Sequence, residues 1–111
     1  LTDYTTEDKY NSLLKSAIND GNVDSYNEIV NMMFLYNDLA EAYYYSQIMA
    51  FKYNCAEAYY NLYQVLSNKG TINDINTYSD DEYTNNMAKY YLLKSYELGY
   101  KDSKKYIKDI F

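Results

Sequence analysis

Ala17-Ile18-Asn19-Asp20-Gly21-Asn22-Val23-Asp24-Ser25-Tyr26-Asn27-Glu28-Ile29 returns 33 residues later as Ala50-Phe51-Lys52-Tyr53-Asn54-Cys55-Ala56-Glu57-Ala58-Tyr59-Tyr60-Asn61-Leu62. After a further 45 residues Ser95-Tyr96-Glu97-Leu98-Gly99-Tyr100-Lys101-Asp102-Ser103 takes the same places, with Ile107 falling on Ile29 and Leu62. One turn is therefore written three times, near 17–29, 50–62 and 95–107, and internal repetition of this kind decides architecture before any single helix does. Its helix-ending residue is Gly21, then Asn54, then Gly99, the two residue types that best tolerate the left-handed backbone closing a helix. Ser25, Ala58 and Ser103 share a position where two helices approach too closely for a larger side chain.

Outward from these turns the apolar residues recur at three and four: Tyr10, Leu13, Leu14, Ala17; Leu39, Ala42, Tyr43, Met49, Ala50, Tyr53; Ala58, Leu62, Val65, Leu66; Ala88, Tyr91, Leu92, Ser95, Leu98. The spacing predicts six amphipathic helices at 6–20, 23–36, 39–53, 56–69, 80–98 and 102–110, with no sustained strand alternation and a polar loop at 70–79. Asp38 with Glu41 and Ser79 with Glu82 have the spacing of a capping box. A chain of 111 residues fits one domain, 1–111, and its 48% apolar and 19% aromatic content is far more than a disordered segment carries.

Ala88-Lys89-Tyr90-Tyr91-Leu92-Leu93-Lys94-Ser95-Tyr96-Glu97-Leu98-Gly99 resembles the second helix of a Sel1-like repeat, and Ala56-Glu57-Ala58-Tyr59-Tyr60-Asn61-Leu62 resembles the first helix of such repeats and of the related tetratricopeptide (TPR) class. Tyr63 stands where the family pattern has Gly, and Tyr96 where it prefers Ala. The resemblance implies an all-α fold, an α-α superhelix of about three helical hairpins forming a TPR/Sel1-like solenoid. It also implies the family's general activity, holding other proteins. Carrying the family's concave face over position by position puts Asp24, Asn27, Asn31 and Phe34 beside Glu57, Tyr60 and Gln64, a polar, aromatic and mildly acidic binding groove.

Composition excludes much else. There is no His, Arg, Trp or Pro, so the usual general base near neutral pH and the histidine metal ligands are missing. No catalytic residues, metal ligands or cofactor are expected, and the protein is not expected to be an enzyme. Cys55 is the only cysteine, so no intrachain disulfide forms, and at a turn between packed helices a buried thiol is the expectation. Asp74, Asn76, Asp80, Asp81 and Glu82 form an acidic loop that lacks the Gly and Glu of a calcium loop.

Sixteen carboxylates against ten lysines give a net charge of −6, which repels nucleic acid. No apolar run approaches the roughly 18 residues of a membrane span. Lys101, Lys104, Lys105 and Lys108 crowd the last eleven residues beside Asp102 and Asp109, leaving the body near −8 and the tail near +2. That tail suits a capping helix or self-association with a second copy. The expected partner is a protein or peptide gripped by a scaffold or adaptor; the alternative is a small acidic inhibitor or immunity protein neutralising a basic toxin. Leu1 opens the sequence with no basic segment followed by an apolar one. A cytoplasmic location is the slight preference, and the mature form of an exported protein remains an alternative.

Overall fold

A computed structural model describes residues 7–67, 71–72, 75–76 and 82–110. It contains α1 (Glu7–Asp20), α2 (Val23–Leu35), α3 (Leu39–Tyr53), α4 (Ala56–Ser67), β1 (Thr71–Ile72), β2 (Ile75–Asn76), α5 (Glu82–Glu97), a 3-10 turn (Lys101–Ser103) and α6 (Lys104–Ile110). All six expected helices form, and they pack as sequential pairs, α4 against α5 most extensively. The body measures 42 × 31 × 21 Å. The two-residue strands pair antiparallel, Thr71 with Asn76 and Ile72 with Ile75, inside the stretch expected to be loop. Two residues are too few to leave an alternating pattern in the sequence. Asp74, Ser79, Asp80 and Asp81, and with them the Ser79–Glu82 cap, lie outside the described residues.

The repeated turn is real in its hydrogen bonds. Gly21 N–H donates to the Ala17 carbonyl at 3.0 Å and Asn22 N–H to that of Ser16 at 3.2 Å; 33 residues on, Asn54 donates to Ala50 at 3.0 Å and Cys55 to Met49 at 3.3 Å. Gly21 (φ 69°) and Asn54 (φ 52°) are both left-handed, as expected. The third copy departs from this pattern: Leu98 donates to Lys94, Gly99 to Tyr96 and Tyr100 to Ser95, and the chain re-enters helix through the 3-10 turn.

Stacking of the first two copies explains why glycine stands at 21. The Tyr53 ring lies where a Cβ would sit, 2.6 Å from its Cδ1, and the Tyr53 hydroxyl donates to the Ile18 carbonyl at 2.7 Å. The end of α3 is thereby fastened to the end of α1.

Ala17, Ala50 and Ala58 are fully buried beside Ile29, Met49 and Leu62. Of the small residues sharing one position in the three copies, Ala58 and Ser103 are inaccessible to solvent and Ser25 is half-buried; Ser103 pairs its hydroxyl with that of Ser95. Ile107, the third apolar knob, is only half-buried, and Leu98 is exposed instead of facing the core. At the centre of the core, Tyr26 is fully buried. Its hydroxyl shares a 2.6 Å hydrogen bond with Ser46 Oγ and accepts one from Asn61 Nδ2 at 2.8 Å. A single phenol thus ties α2, α3 and α4 together with its polar atom satisfied, as burial demands.

The expected cap at Asp38 does not form: its side chain accepts no hydrogen bond from the start of α3. Asn37, left-handed at φ 56°, closes α2, and Asp38 N–H turns back to the Met33 carbonyl at 2.7 Å. Glu41, the other half of the box, accepts from the Tyr10 hydroxyl of α1 at 3.0 Å. The cap that does form is Asn22, whose Oδ1 accepts from Ser25 N–H at 2.9 Å.

Candidate functional site

Tyr60, Tyr63, Gln64 and Ser67 recur at three and four along α4 and so share one helical face. Together with Phe34 at the end of α2, Leu39 at the start of α3 and Tyr106 of α6, they line an open groove of about 400 Å³. That volume falls in the range of small-ligand and side-chain pockets, about 300–1,000 Å³. Among the described residues none of those lining it is charged.

The tyrosines hold one another. The Tyr60 ring centroid lies 4.8 Å from that of Tyr100, 6.0 Å from Tyr63 and 6.3 Å from Tyr106, and Tyr63 lies 5.9 Å from Tyr106, all with tilted planes. These separations are those at which ring quadrupoles attract. Gln64 Nε2 reaches the Tyr60 hydroxyl at 3.4 Å. Burial, then the hydrogen bond with Tyr106 and the nearby Asp102 charge, push the Tyr60 phenol upward, so it stays a neutral hydroxyl. Lys105 Nζ lies 5.2 Å from the Tyr106 centroid, a cation over a ring.

Of the residues expected at the site, the groove brings together Phe34, Tyr60 and Gln64. Phe34 is half-buried and Gln64 exposed, while Tyr60 is 6% exposed and belongs to the wall more than to the contact surface. Asp24 and Asn31 are exposed and Asn27 half-buried on α2, outside the groove lining. Glu57 stands at the other end of α4, with Cys55 Sγ at 4.0 Å from its Oε1. Leu39, Tyr63, Val65, Ser67 and Tyr106 also line the groove and were not expected there. For Tyr63 the signal was available, three residues from Tyr60 on the same helix.

Cys55 is buried, and burial raises its thiol above the usual value, which disfavours the reactive thiolate. Among the described residues no three carboxylate or thiol groups converge as a metal site requires, and no helix is long and apolar enough to cross a membrane.

The buried phenols imply an alkaline limit to the fold. Burial raises both Tyr26 and Tyr91 well above the ordinary value of 10.0. In the unfolded chain they lose protons near pH 10, while the folded chain keeps them, so above that pH the native state binds more protons and stability falls as pH rises. Their contribution is complete below about pH 10 and is lost on the way up to the folded values. A base titration followed in parallel by tyrosinate absorbance and helical circular dichroism should end in an absorbance step that coincides with loss of helix. Complete ionisation at undiminished helicity is the contrary result.

No protein-family model, curated protein or solved structure matches this chain.

Proposed function

We propose that the chain is a short Sel1/TPR-like solenoid that binds a peptide or protein segment in the groove between α2, α4 and α6, as a scaffold or adaptor does. The observation that carries this reading is the groove itself, about 400 Å³, without charge among the described residues that line it and walled by Phe34, Tyr63 and Tyr106 with the amide of Gln64 at its side. Aromatic walls with a few polar groups give wide contact at small rotamer cost, and such residues dominate binding energy at protein interfaces. The identical hydrogen bonding of the first two turns supports a repeat origin for the helix pairs. The reading assigns the protein no reaction: the described side chains lining the groove are hydroxyls, an amide and hydrocarbon, and none of them is a base near neutral pH.

A displayed library of random peptides, selected against the purified chain, tests the proposal. Enriched peptides are expected to lose about tenfold or more in affinity with Phe34→Ala, and to shift the amide resonances of Phe34, Tyr63, Gln64 and Tyr106 in heteronuclear NMR spectra. Enrichment of no peptide, or of peptides indifferent to Phe34→Ala and Gln64→Ala, removes the groove as the binding site.

A further inference from the structure

Charge is segregated between the two ends of the helix order. From Ser16 to Phe51 the chain contains no lysine, and the five carboxylates of that stretch, Asp20, Asp24, Glu28, Asp38 and Glu41, are all exposed. Glu28 meets Lys9 at 3.7 Å and Glu41 accepts from Tyr10. Asp20, Asp24 and Asp38 form no ion pair with a described residue.

At the other end Lys101, Lys104, Lys105 and Lys108 surround one open cleft of about 410 Å³. Their spacing of three and four sets the four ammonium groups on one face of the final helical segment, all exposed. Asp102, next to Lys101 in sequence, accepts from the Tyr100 hydroxyl at 3.4 Å; the side chain of Asp109, next to Lys108, lies outside the described residues. Among the described residues none of the four lysines forms an ion pair. Four like charges around one cleft repel each other, and an anionic surface laid across them relieves that repulsion.

We propose that the lysine face of α6 docks on the carboxylate-bearing face around Asp20 and Asp24 of a second copy of this chain. The argument for a second copy is complementarity: the chain itself carries exposed carboxylates, Asp20 and Asp24, that form no ion pair with a described residue, to match a basic face whose four lysines likewise form none among the described residues. Net charge does not forbid this. At about 0.1 M salt the screening length is about 10 Å, well below the 42 Å long axis, so each end is felt locally and the overall −6 is felt weakly. The two faces are different surfaces, so copies join either reciprocally, each lysine face on the other's acidic face in a closed two-fold pair, or head-to-tail in chains or rings.

Sedimentation velocity of the full chain over a wide concentration range tests this. In about 0.1 M salt the wild type is expected to sediment faster as concentration rises. In about 1 M salt, where screening shortens to about 3 Å, it should stay monomeric. Lys104→Glu with Lys108→Glu, and separately Asp20→Lys with Asp24→Lys, should each weaken self-association about tenfold or more. A mixture of the two variants should associate again, because the acidic α6 of one then meets the basic face of the other. All four positions are exposed, and circular dichroism confirms that each variant is folded.

A wild type that stays monomeric in about 0.1 M salt overturns the proposal. So does association that survives either swap, or variants that fail to complement each other when mixed. A monomeric wild type that instead co-sediments with phosphatidylserine-containing vesicles, and not with phosphatidylcholine alone, assigns the lysine cleft to a lipid surface and overturns it as well.

Discussion

Tyr26→Ala is expected to remove about 3–5 kcal/mol of stability, a large part of the roughly 5–15 kcal/mol that holds a domain of this kind folded. Tyr26 is fully buried at the meeting point of α2, α3 and α4, and truncation empties a ring-sized volume that helices on three sides cannot collapse to fill. The conservative change separates packing from polarity. Tyr26→Phe keeps the ring and deletes the hydroxyl, leaving Ser46 Oγ, 1% exposed, and the Asn61 amide without their partner. An unsatisfied buried group costs about 1–3 kcal/mol, so the phenylalanine variant should also be clearly destabilised. Equilibrium unfolding in urea measures both. A phenylalanine variant within about 0.5 kcal/mol of wild type shows that the hydroxyl contributes nothing net and that the three-helix hydrogen-bond junction is not a source of stability.

The second large effect is expected at Gly21, and its size is best judged against Gly99. Both glycines have positive φ, 69° and 97°, so alanine at either carries a backbone penalty of about 1–2 kcal/mol. Only at Gly21 does the new methyl meet anything: the Tyr53 ring at 2.6 and 2.7 Å, where Gly99 has nothing within 4 Å. The ring cannot simply swing away, because its hydroxyl is bonded to the Ile18 carbonyl. Overpacking adds about 1–3 kcal/mol, so Gly21→Ala should cost about 2–5 kcal/mol against about 1–2 kcal/mol for Gly99→Ala. A double-mutant cycle with Tyr53→Ala locates the excess. If the clash is its source, Gly21→Ala costs about as much as Gly99→Ala once the ring is gone. Equal costs for the two glycines in the wild-type background contradict the steric account.

These two sites also show what a sequence discloses and what it withholds. Gly21 and Asn54 were legible because only certain residues close a helix in the left-handed region, and the repeat spacing made the same residue types recur at equivalent places. The six helices were legible from periodicity, since Ala17, Ala42, Ala50, Ala58, Leu62 and Leu92 all reach the core. The junction at Tyr26 was not. Nothing in the sequence marks Ser46 and Asn61 as partners of Tyr26, and only the crossing of three helices brings them to one phenol. The Asp38 cap misled for a related reason: its spacing to Glu41 is local, while Tyr10, which takes Glu41, comes from another helix. Phe34, Tyr60 and Gln64, which line the groove, were placed in the sequence by carrying the concave face of the resembled family over position by position. Leu39 and Tyr106 arrive from elements distant in sequence, and the third turn, placed at Gly99 by analogy with the first two and of positive φ like them, differs from them in its hydrogen bonds and 3-10 step.

Sequential packing has a kinetic side. Each helix rests chiefly on the one next to it in the chain, so most native contacts form by closing short segments, at little entropic cost. Helical domains wired in this way fold on the order of microseconds to milliseconds, and a chain without proline has no isomerisation step to wait for. The pairing of α4 with α5 is the exception, because the strands β1 and β2 lie between them. That longer closure, joining the most extensive helix contact in the molecule, is the natural rate-limiting event.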